Sequence, residues 1–218
     1  STGGDRAAEV QGRPGTGSRG AEERPTPRSR EAAANAAAEY AAAEASPGGA
    51  LAQWVPSGPD HADDTLHTLL LAGAYHAQQR IVAVTPYFVP DDALLDAWCL
   101  ACRRGVQVTL LLPQRSNHRL ADWARERALR ALMAAGAQIW LAPEMVHAKA
   151  ILIDDDFALS GSLNVDARSL FLNYEAMTAF YGPEDLRWLY RWCDAQIAKS
   201  IPYHASQPHW ARDVAEGV

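Results

Sequence analysis

Three apolar runs, residues 80–85, 106–112 and 138–141, constrain the fold of this chain more than any other feature. The first two are dense in Val, Ile and Leu, and the first ends at Pro86. Short runs of this kind, bounded by turn residues, read as buried strands. The segments between them have helical spacing. Pro90-Asp91-Asp92 starts one helix, which ends near Gly105, and residues 120–135 form an amphipathic helix stopped by Gly136. Upstream, residues 51–55 are a short strand closed by Pro56-Ser57-Gly58-Pro59. A helix capped by Asp63 or Asp64 then runs to about Gln78, with Leu66, Leu69, Leu70 and Tyr75 at helical spacing. Downstream, residues 149–153 and 158–160 read as two strands joined by the turn Asp154-Asp155-Asp156. A strand at 175–180 and a Trp-rich helix at 183–199 complete the pattern. Alternating strands and helices followed by a hairpin predict an α/β sandwich with a mixed central sheet flanked by helices.

All of these elements follow residue 49. Residues 1–49 contain no Leu, Ile, Phe, Trp, Met or Cys, and their only larger apolar side chains are Val10 and Tyr40. Such a stretch buries too little surface to offset the entropy of ordering it. It is expected to be a disordered or frayed-helix linker, with the folded domain at 50–218. Residues 31–45, mostly Ala with spaced Glu, form the helical part and have no hydrophobic face.

Charge narrows the function classes. The chain carries a net −6, and residues 50–218 hold 14 basic against 19 acidic side chains. An acidic folded part argues against holding nucleic acid by bulk charge. A local stripe of Arg115, Arg119, Arg125, Arg127 and Arg130 is diluted by Asp122 and Glu126. No window approaches the roughly 18 consecutive apolar residues of a membrane span. No apolar leader stands at the first residues, so no signal peptide is visible; either it was removed or the chain is a fragment of something longer. Three cysteines, Cys99, Cys102 and Cys193, make no disulfide framework.

The chemistry concentrates in residues 147–175, HAKAILIDDDFALSGSLNVDARSLFLNYE. His147 and Lys149, two apart on a strand, share one face. If the two strands pair as a hairpin, the second returns Ser162 and Asn164 toward them. An imidazole, an ammonium, a hydroxyl and an amide then converge, a donor set suited to a phosphate oxyanion. Lysine occurs only at 149 and 199, which sharpens the pattern.

His147, Lys149, Asp154, Gly161, Ser162 and Asn164 fill every fixed position of H-x-K-x4-D-x6-G-S-x-N, the HKD signature of the phospholipase D superfamily. A chance match in a chain of this composition is rarer than about one in a million. VPSGPD at 55–60, TPYFVPD at 85–91, RRGVQVTLLLP at 103–113 and DARSLFLNYE at 166–175 resemble the carboxyl-terminal half of bacterial cardiolipin synthases. That resemblance covers nearly all of residues 50–200 and implies a phospholipase D-like α/β sandwich with one HKD half. Family members carry two such halves, one motif each, about a pseudo-twofold axis. This sequence holds one motif and no second H-x-K.

The resemblance implies phosphatidyl transfer in two steps on phospholipid phosphodiesters, with phosphatidylglycerol as the expected substrate. One histidine attacks phosphorus and forms a phosphohistidine; a second, from another motif, protonates the leaving alcohol and then deprotonates the acceptor. On this chain the implied catalytic set is His147, Lys149, Asp154 and Glu175. Lys149, Ser162 and Asn164 would hold phosphate oxygens. Glu175 would accept a hydrogen bond from the second nitrogen of His147, and Asp154, at the hairpin turn, is better placed to hold local structure. No metal or cofactor is implied, because Lys and amide donors supply the electrophile. The second motif is expected from a homodimer mate or a separate chain, and membrane contact from a peripheral site at the cytoplasmic face. The alternatives are a single-motif homodimeric phosphodiesterase or nuclease, and a non-autonomous half-enzyme needing a second HKD motif.

Several other residues have plainer readings. Cys99-x-x-Cys102 lies two turns inside a predicted helix and reads as packing, since a redox pair favours a helix start. His61, Asp63 and Asp64 read as a loop and helix cap. Arg168 is open between pairing with Asp166 and touching phosphate. His118, in the loop after the 106–112 strand, is a candidate lining residue, because such loops border sites in α/β sheets. Trp188 and Trp192 read as core.

Overall fold

The computed structural model describes residues 51–60 and 64–205. The expected linker at 1–49, and His61 and Asp63, lie outside them. The described chain begins with β1 (Ala52–Ser57), α1 (Thr65–His76), β2 (Arg80–Val84), the two-residue β3 (Phe88–Val89) and α2 (Asp92–Arg103). It continues through β4 (Gln107–Pro113), α3 (Arg119–Ala135) and β5 (Gln138–Ala142). The hairpin β6 (Ala150–Ile153) and β7 (Phe157–Gly161) comes next, followed by β8 (Val165–Asp166) and the short α4 (Ala167–Phe171). Last are β9 (Glu175–Phe180), α5 (Pro183–Ile197) and β10 (Ile201–Pro202).

Eight strands form one mixed sheet in the order β1-β9-β7-β6-β2-β4-β5-β10, as the sequence pattern predicts in class. β2, β4 and β5 are parallel, joined by the crossover helices α2 and α3 that parallel pairing requires. The remaining neighbours are antiparallel. Alternate residues feed two cores, because successive strand side chains point to opposite faces. Ile81, Ala83, Val108, Leu110, Ile151 and Leu159 join α1, α2 and α3 on one side. Val82, Val84, Leu111, Leu152 and Ala158 meet Leu186, Leu189, Tyr190 and Cys193 of α5 on the other. Burial on both faces is why these strands read as continuous apolar runs. Among the described residues no helix is long and apolar enough to cross a membrane.

Two helix ends follow the expected local chemistry and a third does not. Asp91 accepts the Ala93 N–H at 3.1 Å and caps α2, and Gly136 ends α3 at φ 109°. Asp64 precedes α1 at φ 41° and makes no side-chain cap bond, contrary to the expected cap. On α5 the tryptophan expectation fails in part. Trp192 packs against the second core, but Trp188 is 58% exposed.

Topology gathers several chain ends at one edge of the sheet. β2, β4 and β5 finish there, and antiparallel β6 starts there, with Val84 opposite Ala150. β7 ends and β9 starts at the same edge, with Gly161 opposite Met177. β3 and β8 form a small parallel pair just beyond it, Phe88 opposite Val165. Ligands of open α/β sheets bind outside the carboxyl ends of parallel strands.

Candidate active site

His147 and Lys149 precede β6 at this edge. The Lys149 side chain folds back along the loop: its Nζ donates to the His147 carbonyl oxygen at 3.0 Å and lies 3.1 Å from Nδ1 and 3.3 Å from Nε2 of the His147 ring. The amine thus lies against both nitrogens of the ring. His147 is exposed and Lys149 is buried at 8%. Burial pushes the Lys149 pKa below the ordinary lysine value, while the charges of Glu175 and Asp166 oppose that shift.

Hairpin pairing brings the second half of the motif to the first. The Gly161 N–H donates to the Lys149 carbonyl at 3.2 Å. A Cβ at Gly161 would collide with the Ala176 carbonyl oxygen on β9, which accounts for glycine there. The Ser162 hydroxyl donates to Glu175 Oε2 and accepts the Ala176 N–H at 3.0 Å. Asn173 Nδ2 holds the other oxygen of Glu175 at 3.1 Å. Glu175 is thus engaged by Ser162 and Asn173, and the expected hydrogen bond from His147 is not made. Asn164 Nδ2 donates to Ser169 Oγ at 3.2 Å, and its Oδ1 is buried without a partner. Pairing with Glu175 makes Ser162 a support for the acid.

Asp154 is not brought to this cluster. It closes the far end of the hairpin at φ 47°, in the left-handed region that Asp tolerates. Its carboxylate accepts the backbone N–H groups of Gln78 at 2.7 Å, Gln79 at 2.8 Å and Arg80 at 2.7 Å. The Tyr190 hydroxyl donates to its carbonyl at 2.5 Å. A buried carboxylate with three backbone donors fastens the hairpin to the start of β2 and leaves no group for substrate. The placement of Asp154 in the catalytic set is therefore corrected: of the motif, it alone faces away.

Beside the motif lies a cleft of about 440 Å³. Asn164, Asp166, Arg168 and Asn173 line it from the motif side, with Tyr87 and His118 from the loops after β2 and β4. Asp166 accepts the Ser169 N–H at 2.8 Å and starts α4. Arg168 is exposed and makes no ion pair among the described residues. Its open reading resolves away from a core pair with Asp166. The His118 ring lies 5.5 Å from that of Tyr87, whose hydroxyl bonds Asn117.

Residues 70–196 match the family model described as "Cardiolipin synthase, PLD-like domain". The chain belongs to this family. Cardiolipin synthase A of Escherichia coli O1:K1 / APEC is 40% identical over 126 residues, which are 57% of this chain and 26% of that protein. The same protein of strain K12 / DH10B gives the same figures. The chain thus spans about a quarter of the curated relatives it matches. Nuc from Salmonella typhimurium, a phospholipase D family member, aligns with TM-score 0.61 at 19% identity, over 71% of this chain and 99% of that one. The phosphatidylserine synthase of Haemophilus influenzae aligns with TM-score 0.62 at 15% identity, over 78% and 45%. These two establish the fold.

Within this cardiolipin synthase-like domain, the remaining sequence candidates separate cleanly. Arg125 of the supposed stripe is buried, donates to the Pro113 and Gln114 carbonyls and pairs with Asp122. Arg127 pairs with Asp92. With these two engaged, the stripe is not a continuous basic face. Cys99 is buried and Cys102 half-buried in α2, with the Cys102 thiol pushed up to about 11 by burial, consistent with packing. Sequence reasoning missed Asn173 and Tyr87. Asn173 stands two before Glu175, in the bend that leads into β9. Tyr87 belongs to the TPYF segment, just past a parallel strand end.

Proposed function

We propose that this domain is a phosphatidyltransferase of cardiolipin synthase type, acting on glycerophospholipid phosphodiesters through a phosphohistidine at His147. The observation that carries the reading is the buried Lys149 amine against the His147 ring, at the edge where Asn164 and Glu175 also converge. His147 nitrogen attacks phosphorus, and the bond to the leaving alcohol oxygen breaks. A second histidine gives that oxygen its proton. The acceptor alcohol then loses its proton to the same histidine, its oxygen attacks phosphorus, and the phosphorus–nitrogen bond breaks. Lys149 and Asn164 hold the non-bridging oxygens as charge builds. Glu175, fixed by Ser162 and Asn173, offsets the Lys149 charge and keeps the motif loop in place.

One chain supplies one motif histidine, so the second comes from another copy or another motif-bearing chain. Exposed Leu120, Leu172 and Tyr174, all beside the site edge, support peripheral contact with a lipid surface.

The test is phosphatidylglycerol vesicles with the unmutated chain and His147→Asn in parallel. Cardiolipin and glycerol form with the first. The variant is slower by about ten thousandfold or more, because removing a nucleophile removes the covalent route. Equal rates for the two proteins would refute the assignment. Phosphatidic acid in place of cardiolipin would make the enzyme a hydrolase.

A further inference from the structure

The proposed transfer makes a demand that the His147 cluster does not meet. Cardiolipin has two phosphates joined by one glycerol. An acceptor phosphatidylglycerol therefore brings its own phosphate within a three-carbon bridge of the phosphorus under attack. That second anion must be held as well. The cleft of about 440 Å³ shares Asn164 with the motif, so it adjoins the place where the first phosphate sits. Two basic side chains reach it from separate elements. Arg168 comes from α4, is exposed, and makes no ion pair among the described residues. His118 stands at the start of α3, and its side chain makes no cap bond there. Its ring packs beside Tyr87. The acid that also lines the cleft, Asp166, is engaged by the Ser169 N–H at 2.8 Å.

We infer that this cleft is the subsite for the phosphate of a glycerophospholipid acceptor, with Arg168 and His118 as its donors. The inference rests on the phosphatidyl-transfer reading. A guanidinium fork binds two phosphate oxygens at once, which fixes orientation as well as charge. Holding the acceptor phosphate aims the far hydroxyl of its glycerol at the phosphohistidine. The subsite thereby favours a phosphatidylglycerol acceptor over water or a neutral alcohol. The motif alone makes no such distinction.

The binding test titrates glycerol 3-phosphate into the full chain while the His118 ring signals are followed by NMR. A saturable shift is expected, weakened about tenfold or more in Arg168→Gln. Lys199→Gln, which removes the same charge elsewhere, controls for net charge and keeps the unmutated affinity. His118→Gln weakens binding in the same direction, read from the chain's other signals. Equal affinity in Arg168→Gln and the unmutated chain would overturn the inference. So would inorganic phosphate binding as tightly as the glycerol ester, which would make this a free-phosphate site. The product test supplies phosphatidylglycerol vesicles with ethanol as competing acceptor. Arg168→Gln lowers the ratio of cardiolipin to phosphatidylethanol about tenfold. An unchanged ratio counts against the subsite. If the unmutated chain, dimeric by sedimentation, makes neither product, yet Arg168→Gln still weakens glycerol 3-phosphate binding, the reading as a self-sufficient transferase falls and the phosphate subsite stands.

Discussion

Replacing Asp154 with Asn and with Ala separates structural support from chemistry at that position. Its carboxylate accepts three backbone N–H groups, from Gln78, Gln79 and Arg80, at 2.7–2.8 Å. Gln78 and Gln79 are exposed, so water recovers part of each lost bond. A net loss of about 1 kcal/mol per bond is the result, below the roughly 1.5–3 kcal/mol of bonds to charged groups that water does not reach. Alanine loses all three and adds about 1 kcal/mol for a methyl side chain at φ 47°. The sum is about 4 kcal/mol. Asparagine tolerates that φ and keeps the oxygen that serves Gln79 and Arg80. It sets an amide N–H against the Gln78 N–H, for a cost of about 2 kcal/mol. For a domain of this size each kcal/mol moves the melting temperature by about 2–4 °C. Thermal unfolding followed by circular dichroism should therefore show Asp154→Asn down by roughly 4–8 °C and Asp154→Ala down by roughly 8–16 °C. Phosphatidyl transfer, assayed well below both transitions, should fall only with the folded fraction. Lost activity with an unchanged melting temperature would refute the structural account. So would a larger loss for Asn than for Ala.

Two further outcomes follow from the geometry. Gly161→Ala drives a methyl into the Ala176 carbonyl oxygen and should cost about 2–3 kcal/mol, read as a lower urea midpoint with an unchanged slope; an unchanged midpoint would refute the contact. Lys149 has a folded pKa below its unfolded 10.5, because burial disfavours the ammonium. Between those two values the unfolded chain binds more protons, so stability rises with pH through that window. Below it the full penalty applies, and Lys149→Met, which carries no charge to desolvate, should be the more stable protein near pH 7 even though it is inactive. The gap between the two urea midpoints should narrow as pH rises toward 10.5; a constant gap would show that the amine is not desolvated.

The main strands and helices were legible because each carries its own signal. Past their first residues β2 and β4 are buried and almost wholly apolar since both faces are covered, and α3 ends where Gly136 takes a positive φ. β3, β8 and β10 have two residues each, too few to show any period, and exist through long-range pairing such as Phe88 with Val165. α4 is five residues long and begins at an Asp166 cap that looks like any other motif-proximal acid. At the site, His147, Lys149, Ser162 and Asn164 followed from spacing and hairpin logic. The partners of Glu175 did not. Resemblance pairs it with His147, while the structure gives it Ser162 and Asn173.

By itself, the sequence determined which residue types are available: one motif histidine, one motif lysine, an amide and an acid, at spacings that a hairpin folds together. It also set the net charge at −6 with only two lysines, from which weak bulk attraction for nucleic acid is expected. Only the tertiary structure decided what each group faces. Asp154 turns to backbone donors more than 70 residues earlier, and Arg125 vanishes beneath α3 while Arg168 stays open to the cleft. The reason is physical. Spacing along a strand or helix fixes the side of an element, because the backbone repeat is local. A partner on another element depends on sheet order and register, which the whole core sets at once.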